Sequence, residues 1–298
     1  MKENIENSIN HWMDKNKSFI PIRTKRELYS PSNYLFGTSE YTDKAIERVK
    51  QAYDFSQRLN LGKLYVCFSG GKDSVALYGV CKLAFGDSFL DCCEFHYNVT
   101  GIDHPELVYF IREHFPFVQR DMYSKSMWQL ILEKKMPPTR LARYCCAELK
   151  EHGGEGRFCL TGVRWAESSR RANNRGEFES DGKILNADNS DDRRLLEHCI
   201  PKRKHICNPI VDWTDEMVWR FIIEQELPYC DLYDKGYKRL GCIGCPMDTH
   251  REQTLEDYPR FKEQYFRTFK KMLEIRKQNG LETSWKNEQE VYDWWLSR

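Results

Sequence analysis

The sequence predicts an α/β fold, a three-layer arrangement with a mostly parallel sheet and helical N- and C-terminal extensions. Residues 63–83 have the pattern of a short buried strand, a glycine turn and a helix, which is how a crossover unit begins. Apolar strand-like runs then alternate with amphipathic helical patterns along the chain. This alternation predicts helices on the faces of a parallel sheet, with right-handed crossovers.

Local residue patterns predict the individual elements along the chain. Residues 1–40 form a polar extension, near the end of which Pro31 and Gly37 interrupt regular structure. Residues 173–192 are too polar to bury a core and predict a mobile loop or an exposed hairpin. Thr214 is a suitable N-cap for a helix with an acidic first turn. Helices are predicted at residues 43–58, 73–83, 105–114, 126–134, 215–226, 255–277 and 288–296, and strands at 63–68, 93–99, 117–118 and 157–161. Apolar character resumes at 206–210.

The overall charge excludes a global attraction to nucleic acid or to membranes. The 298 residues include 46 basic and 45 acidic side chains, which gives a formal net charge of +1. No apolar run is long enough to cross a bilayer, and the N-terminal residues lack the apolar centre of a signal peptide. We therefore expect a soluble, cytoplasmic protein without a membrane partner, in which any anion site is local.

Two pairs among the twelve cysteines differ from the others. Without a signal peptide, reduced thiols or a metal site are favoured over disulfides. The Cys145–Cys146 pair and the Cys242–Cys245 pair lie among arginine, lysine, glycine and proline residues, in loop-like contexts that core cysteines rarely occupy. Six other cysteines are expected to be structural: Cys67, Cys81, Cys92, Cys93, Cys159 and Cys207.

The turn after the first predicted strand has the chemistry of a phosphate-binding loop. Adjacent glycines allow the backbone to approach an anion, and the following helix directs its N-terminal dipole at the same point. Hydroxyl groups and a lysine supply further donors and charge. An ordinary strand–helix turn would not need this combination, so we predict a phosphate or pyrophosphate site formed by Ser69, Gly70, Gly71, Lys72, Asp73 and Ser74.

The stretch "FSGGKDS" resembles the PP-loop of the adenine nucleotide α-hydrolase-like superfamily. That resemblance implies that the loop binds the terminal phosphates of ATP, with Mg²⁺ offsetting their charge, while the bond between the α and β phosphates is broken. A Walker loop, by contrast, has four residues between its first glycine and the Gly-Lys pair and serves transfer of the γ-phosphate.

Three further segments resemble the phosphoadenylyl-sulfate (PAPS) reductase family. They are "LTGVRWAESSRR", "NPIVDWTDEMVWRFI" and "LPYCDLYDKGYKRLGCIGCP", and with the PP-loop they extend the likeness over residues 64–246. The resemblance implies an N-terminal extension at 1–40, a PP-loop domain at 41–250 and a helical segment at 251–298. It further implies catalytic roles for Lys72, Asp73 and Arg164, and ATP contacts from Gly101, Asp103, Gly162, Arg164, Arg170 and Arg171, although the three arginines could equally lie on a solvated helix face.

One branch of this family binds a 4Fe-4S cluster through a Cys-Cys pair and a later Cys-x-x-Cys pair. Here the corresponding ligands are Cys145, Cys146, Cys242 and Cys245. Tetrahedral zinc also accepts four thiolates, but adjacent cysteines are an awkward pair of ligands for one zinc ion. Free thiols are the third option.

Two departures separate the chain from the assimilatory reductases whose cluster ligands it shares. Those enzymes attack sulfur with a cysteine in a C-terminal tail, whereas no cysteine follows Cys245 in this sequence. Their phosphate loop is also degraded, and this one is complete. The chain therefore looks like the ATP pyrophosphatase of DNA phosphorothioation systems, with a cysteine desulfurase as the sulfur source. Adenylyl-sulfate or PAPS reductase, tRNA thiolation and a cluster-bearing nucleotide sensor are the alternatives.

Contact with nucleic acid is not visible in the sequence by itself. A local basic cluster could follow a phosphate backbone, but such a cluster on a neutral protein is more often a solvated surface. DNA is therefore expected as an acceptor that partner proteins could bring, and a homodimer is left open. The basic cluster consists of Arg193, Arg194, Lys202, Arg203 and Lys204.

Overall fold

A computed structural model describes residues 24–30, 39–200 and 202–297 of the chain. Most of the predicted 1–40 extension therefore lies outside the described residues. The strands are β1 Leu64–Cys67, β2 Cys93–Val99, β3 Gln119–Met122, β4 Phe158–Leu160, β5 Phe178–Ser180, β6 Lys183–Leu185 and β7 His205–Cys207. The helices are α1 Lys25–Leu28, α2 Ser39–Arg58, α3 Lys72–Phe85, α4 Phe89–Cys92, α5 Pro105–His114, α6 Met127–Lys134, α7 Tyr144–Lys150, α8 Ser169–Asn174, α9 Ser190–His198, α10 Asp215–Glu224, α11 Arg251–Asp257, α12 Pro259–Gln278 and α13 Glu288–Leu296.

A seven-stranded sheet forms the centre of the molecule, in the order β3-β2-β1-β4-β7-β5-β6. The first five strands in this order pair in parallel, and β5 and β6 add an antiparallel edge. The predicted α/β class with a mostly parallel sheet is thus confirmed. Because the chain moves from β1 to β2 and β3 on one side and places β4 on the other, the strand order reverses at β1. In such sheets ligands bind beyond the carboxyl ends of the strands at that reversal.

The main hydrophobic core lies between the sheet and the helices α2, α3 and α10. On α2 the side chains of Ala45, Val49 and Ala52 are fully buried, as their helical spacing predicts. The helix α3 is apolar on most of its surface and buries eight of its residues. A helix enclosed on this scale keeps a fixed position, so its N-terminus, where the glycine turn lies, is fixed too.

A second core joins the C-terminal helices to α6 and α7. Tyr265 and Phe269 from α12 and Trp295 from α13 are fully buried and pack with Leu130 and Leu149. The C-terminal helices are therefore packed against the sheet-bearing part of the chain. The boundary that we expect at residue 250 stays a prediction.

Three local expectations differ from the structure. The strand expected at 117–118 lies two residues later, because Phe117 packs among core aromatic rings and the polar β3 forms the sheet edge. Part of the polar segment 173–192 is a hairpin, as one alternative proposed, but it joins the sheet and buries Phe178 and Glu179. Cys145 and Cys146 lie on the helix α7 and not in a loop.

None of the helices in the described ranges combines the length and the apolar character that a membrane span requires.

A buried ion pair joins α2 to the segment after β7 and provides a test of the fold. The Arg48 guanidinium donates to the Asp212 carboxylate at 2.8 and 3.0 Å and to the Pro209 carbonyl at 2.9 Å, and its side chain is 8% exposed. Removing one partner of a buried pair leaves the other charge uncompensated. We predict that Arg48→Met lowers the free energy of unfolding by about 3 kcal/mol, measured by denaturant titration.

Arg58→Met is the matched control for this prediction, since it removes the same charge from the same helix. Arg58 pairs with Glu197, but its side chain is 53% exposed. Exposed pairs contribute little, so the loss should stay below about 1 kcal/mol. Equal losses in the two variants would contradict the role given to Arg48.

Candidate functional site

The glycine turn lies at the carboxyl end of β1, at the reversal of strand order. Gly70 has φ +72°, a conformation that favours glycine, and Gly71 is the N-cap of α3 without any side-chain cap. A Cβ atom at Gly70 would lie 2.7 Å from the Ile111 side chain and 2.8 Å from that of Leu107. The turn therefore packs directly against α5, and its backbone faces the space beyond the sheet.

The side chains of the turn organise its backbone. The Ser74 hydroxyl donates to the Gly71 carbonyl at 2.8 Å and lies 3.3 Å from the Ser69 hydroxyl. The Lys72 N–H donates to the phenol oxygen of Tyr233 at 2.8 Å. Tyr233 is 2% exposed, and burial raises the pKa of its phenol, which therefore stays neutral. A residue 161 positions away thus holds the first amide of α3.

Two cations and two carboxylates meet beside this turn. The Lys72 ammonium lies 3.2 Å from Asp73 and 3.4 Å from Asp215. The Arg164 guanidinium lies 2.7 Å from Asp73 and 2.5 Å from Asp215, and it also donates to the Trp213 carbonyl at 3.1 Å. Burial alone would raise the pKa of Asp215, but Lys72 and Arg164 outweigh it and lower the pKa. Asp215 is therefore ionised at neutral pH.

The loop after β4 approaches the same place. A Cβ atom at Gly162 would lie 3.0 Å from the carbonyl oxygen of Asp73, so only glycine permits this closeness without a shift. Arg164 is 1% exposed, which rules out the solvated-face alternative for this arginine. Arg171 pairs with Glu167, and Arg170 is exposed without an ion-pair partner among the described residues. Of the three arginines, the structure joins only Arg164 to the turn by direct contact.

The polar groups of the loop after β2 form hydrogen bonds with other groups of the protein. The buried Asp103 carboxylate accepts hydrogen bonds from the Tyr97 hydroxyl at 2.7 Å and from the Thr100 hydroxyl at 2.8 Å. Asp103 also pairs with Cys242 in an isolated bridge of backbone hydrogen bonds. Gly101 takes φ +75° in an open turn. Nucleotide contacts from Gly101 and Asp103 stay predictions, and the loop links α5, against which the glycine turn packs, to the second cysteine pair.

The structure brings all four singled-out cysteines to one cavity. Its volume is about 140 Å³, and its lining also includes Arg143, Lys150 and Arg239. The four cysteines come from α7 and from the loop before α11, which are far apart in sequence: Cys145, Cys146, Cys242 and Cys245.

The charges around the cavity favour a thiolate at Cys146. The Arg143 guanidinium donates to the Cys146 sulfur at 3.3 Å. A hydrogen bond from Cys145, together with Arg143, lowers the pKa of Cys146, while the same bond and burial raise the pKa of Cys145. Across the cavity, Cys242 raises the pKa of Lys150, which remains a cation. Thiolate sulfur beside fixed cations is the donor set that soft metals and iron–sulfur clusters take.

A site for a single metal ion would require ligands that converge on one point. Within residues 24–30, 39–200 and 202–297, no three His, Cys, Asp or Glu side chains converge closely enough to hold one metal ion. An iron–sulfur cluster has a separate iron for each thiolate, so its ligands need not converge on a point.

The loop that carries the second cysteine pair rests on the C-terminal helices. The Ile243 N–H donates to the Ile102 carbonyl at 2.8 Å, and the Tyr265 hydroxyl donates to the Ile243 carbonyl at 3.1 Å. A Cβ atom at Gly244, which has φ +72°, would lie 3.0 Å from the Trp295 ring. The position of the cysteine loop therefore depends on α12 and α13.

The basic cluster at 193–204 is only partly paired with carboxylates. Glu197 accepts from Arg193 at 2.7 Å, and the Asp181 carboxylate accepts the backbone N–H groups of Lys202 and Arg203. The Lys204 ammonium donates to backbone carbonyls. Whether the cluster binds nucleic acid stays a prediction.

Sequence reasoning missed two residues of the site, Tyr233 and Asp215. Both lie within the quoted segments "LPYCDLYDKGYKRLGCIGCP" and "NPIVDWTDEMVWRFI", and Asp215 was noticed only as part of an acidic first turn. For Asp215 the sequence contained a signal, because a carboxylate at the start of a helix beyond the sheet is well placed to contact Lys72.

A parallel sheet with a Ser-Gly-Gly-Lys-Asp-Ser turn between its first strand and a buried helix defines an α/β protein of the PP-loop class. Residues 63–248, more than half of the chain, match the family described as "Phosphoadenosine phosphosulfate reductase domain". The chain belongs to this family.

Similar proteins include enzymes and proteins without an assigned activity. An uncharacterized protein of Methanocaldococcus jannaschii is 27% identical over 247 residues, covering 80% of this chain and 53% of the relative, so the chain spans about half the length of that relative. The adenosine 5'-phosphosulfate reductase of Staphylococcus haemolyticus is 26% identical over 225 residues, covering 68% of this chain and 79% of the reductase. Among solved structures, a phosphoadenylyl-sulfate reductase of Candida auris, crystallised with phosphate, has 15% identity and a TM-score of 0.41, covering 70% of this chain and 97% of that one.

The packing of Gly70 against α5 generates a prediction about stability. Gly70→Ala should lower the free energy of unfolding through the strained φ and through the clash with Leu107 and Ile111. Gly101→Ala is the matched control, since its φ is nearly the same and nothing lies within 4 Å of the added Cβ. Because only the first variant overpacks the core, we expect it to be about 1–3 kcal/mol less stable than the second. Equal stability would show that the turn does not pack as described.

Proposed function

We propose that the chain is an ATP pyrophosphatase that adenylates an acceptor for sulfur insertion, with DNA as the acceptor and a 4Fe-4S cluster in the cysteine cavity. The observation that carries the proposal is the position of the two sites. The glycine turn packs against α5, which follows the Asp103 loop, and that loop bridges to Cys242 at the cavity. The segment from Tyr233 to Cys245 also leads from the turn to the cavity. Activation of an acceptor and delivery of sulfur would thus occur at two sites that these segments join.

The ATP component rests on the geometry of the turn. The N-terminus of α3, the hydroxyls of Ser69 and Ser74 and the Lys72 ammonium lie together in the turn at the carboxyl end of β1. Pyrophosphate is a polyanion that such a group of donors would stabilise as it leaves. Mg²⁺ would accompany it and offset its charge.

The cluster component rests on the donor set. Four thiols line one cavity, and Arg143 and Lys150 offset the charge that thiolates and a cluster would bring. Cys145, Cys146, Cys242 and Cys245 would each bind one iron. When bound, such a cluster supplies a place where sulfur or electrons are exchanged.

The chemistry would proceed in two displacements. An oxygen of the acceptor attacks the α-phosphorus of ATP, and the bond from that phosphorus to the bridging oxygen of the β-phosphate breaks, which releases pyrophosphate. A sulfur nucleophile then attacks the activated acceptor, and AMP leaves with the oxygen. Arg164, Lys72 and the helix N-terminus would stabilise the charge in the first displacement, where positioning supplies most of the rate.

The acceptor and the partners rest on the resemblance to DNA phosphorothioation components, in which a cysteine desulfurase supplies the sulfur. A second candidate function is reduction of adenylyl sulfate, which the family membership and the similarity to a reductase favour. The two differ in their products: the reductase yields sulfite from adenylyl sulfate and a thiol, and the proposed enzyme yields AMP and pyrophosphate from ATP.

The first test is the identity of the ATP products. We predict that ATP is cleaved to AMP and pyrophosphate, which ion-exchange chromatography separates. The rate of ATP cleavage should fall about 100-fold in Lys72→Ala, because a preorganised charge is lost. Lys82→Ala removes the same charge from the exposed last turn of α3 and should leave the rate unchanged. ADP and orthophosphate as products would contradict the proposal, and sulfite from adenylyl sulfate without ATP cleavage would favour the reductase.

The second test is the metal content. Protein purified without oxygen should be brown and contain about four irons per chain. Cys245→Ala removes one ligand and should abolish most of the visible absorbance, whereas Cys199→Ala, an exposed cysteine outside the cavity, should retain it. Colourless protein that contains zinc, or equal iron in both variants, would be inconsistent with the cluster.

A further inference from the structure

The cations of the glycine turn are already paired with carboxylates of the protein itself. The side chains of Lys72 and Arg164 are buried, with exposed fractions of 7% and 1%. Asp73 and Asp215 each lie within ion-pair distance of both cations. Two positive and two negative side chains leave this group without a net charge. A pyrophosphate that reaches the turn therefore competes with a carboxylate for the same donors.

The two carboxylates differ in how firmly the fold holds them. The Asp73 side chain is 25% exposed, and it belongs to α3, most of which is buried in the main core. The Asp215 side chain is 66% exposed and comes from the first residue of α10. Of the four charged side chains in the group, Asp215 is the one that solvent reaches most. It is therefore the carboxylate that an incoming anion can displace.

Displacement of Asp215 leaves the surrounding structure supported. A carboxylate in the first turn of a helix is stabilised by the helix dipole even without an ion pair. The helix α10 also has its own cap, since the Thr214 hydroxyl accepts a backbone N–H of the first turn at 3.2 Å. When this carboxylate leaves, Arg164 keeps the Asp73 carboxylate at 2.7 Å and the Trp213 carbonyl at 3.1 Å. A phosphate oxygen can then take the vacated place on the guanidinium.

We infer that Asp215 is a displaceable counter-ion of the pyrophosphate site, which pairs with Lys72 and Arg164 until a phosphate group takes its place. This inference rests on the proposed function, in which pyrophosphate is the leaving group. The carboxylate lowers the affinity for pyrophosphate because it must be displaced, and it pairs with the cations again as pyrophosphate departs. Asp215 is thus a positioning residue that favours release of this product.

The test is isothermal titration calorimetry of the full chain, purified without oxygen, with inorganic pyrophosphate in the presence and in the absence of Mg²⁺. Asp215→Asn removes the competing charge and should bind pyrophosphate about tenfold more tightly in both conditions, with a gain that shrinks as salt is raised. Asp215→Glu keeps the charge and should bind like the wild type. Glu216→Gln is the matched control, since it removes the same charge from the next residue of α10, where Glu216 pairs with Arg220. It should leave the affinity unchanged.

Several results would overturn the inference. Unchanged affinity in Asp215→Asn would show that the carboxylate does not compete, and weaker binding in the presence of Mg²⁺ would make it a ligand of the metal instead. An equal gain in Glu216→Gln would reduce the effect to the general charge of the surface.

A second variant guards against misfolding of the first, which thermal unfolding detects. Asp215→Ser also removes the carboxylate, and serine is well tolerated at the start of a helix. The proposed function is scored separately, by the products that the wild-type protein forms from ATP. A wild-type protein that cleaves ATP but has the same pyrophosphate affinity as both Asp215 variants would retain the proposed function and lose this inference.

Discussion

The arrangement of the site depends on one buried guanidinium. Arg164 is almost completely enclosed, and an enclosed charge must have its donors satisfied. It satisfies them with Asp73 from the glycine turn, Asp215 from the start of α10 and the Trp213 carbonyl. Arg164 therefore fixes the relative positions of three segments: its own loop after β4, the glycine turn and the start of α10. A lysine at this position could not bind all three in one plane.

The parts of the fold that could be predicted from sequence are those in which local pattern and burial agree. The bounds of β2, α5 and α13 match the predictions, and Pro105 and Asn287 mark the starts of the two helices. The hairpin β5–β6 was less predictable, since its place in the sheet depends on Phe178 and on Glu179, which is paired with Asn208 from the segment after β7. A long-range partner of this kind leaves no trace in the local pattern.

The same distinction between local patterns and long-range contacts applies to the functional site. The glycine turn and the two cysteine pairs could be recognised from residue types and spacing. The role of Tyr233 could not, because it depends on a contact with the Lys72 N–H from 161 residues away. The three arginines looked equivalent in sequence, and only burial separates Arg164 from Arg170 and Arg171.

The dependence of the cysteine loop on the last helices has a consequence for biogenesis. Ile243 and Gly244 rest on Tyr265 and Trp295, while the first cysteine pair lies on α7, roughly a hundred residues earlier in the chain. During synthesis, the loop that carries the second pair therefore lacks this support until α12 and α13 have emerged from the ribosome.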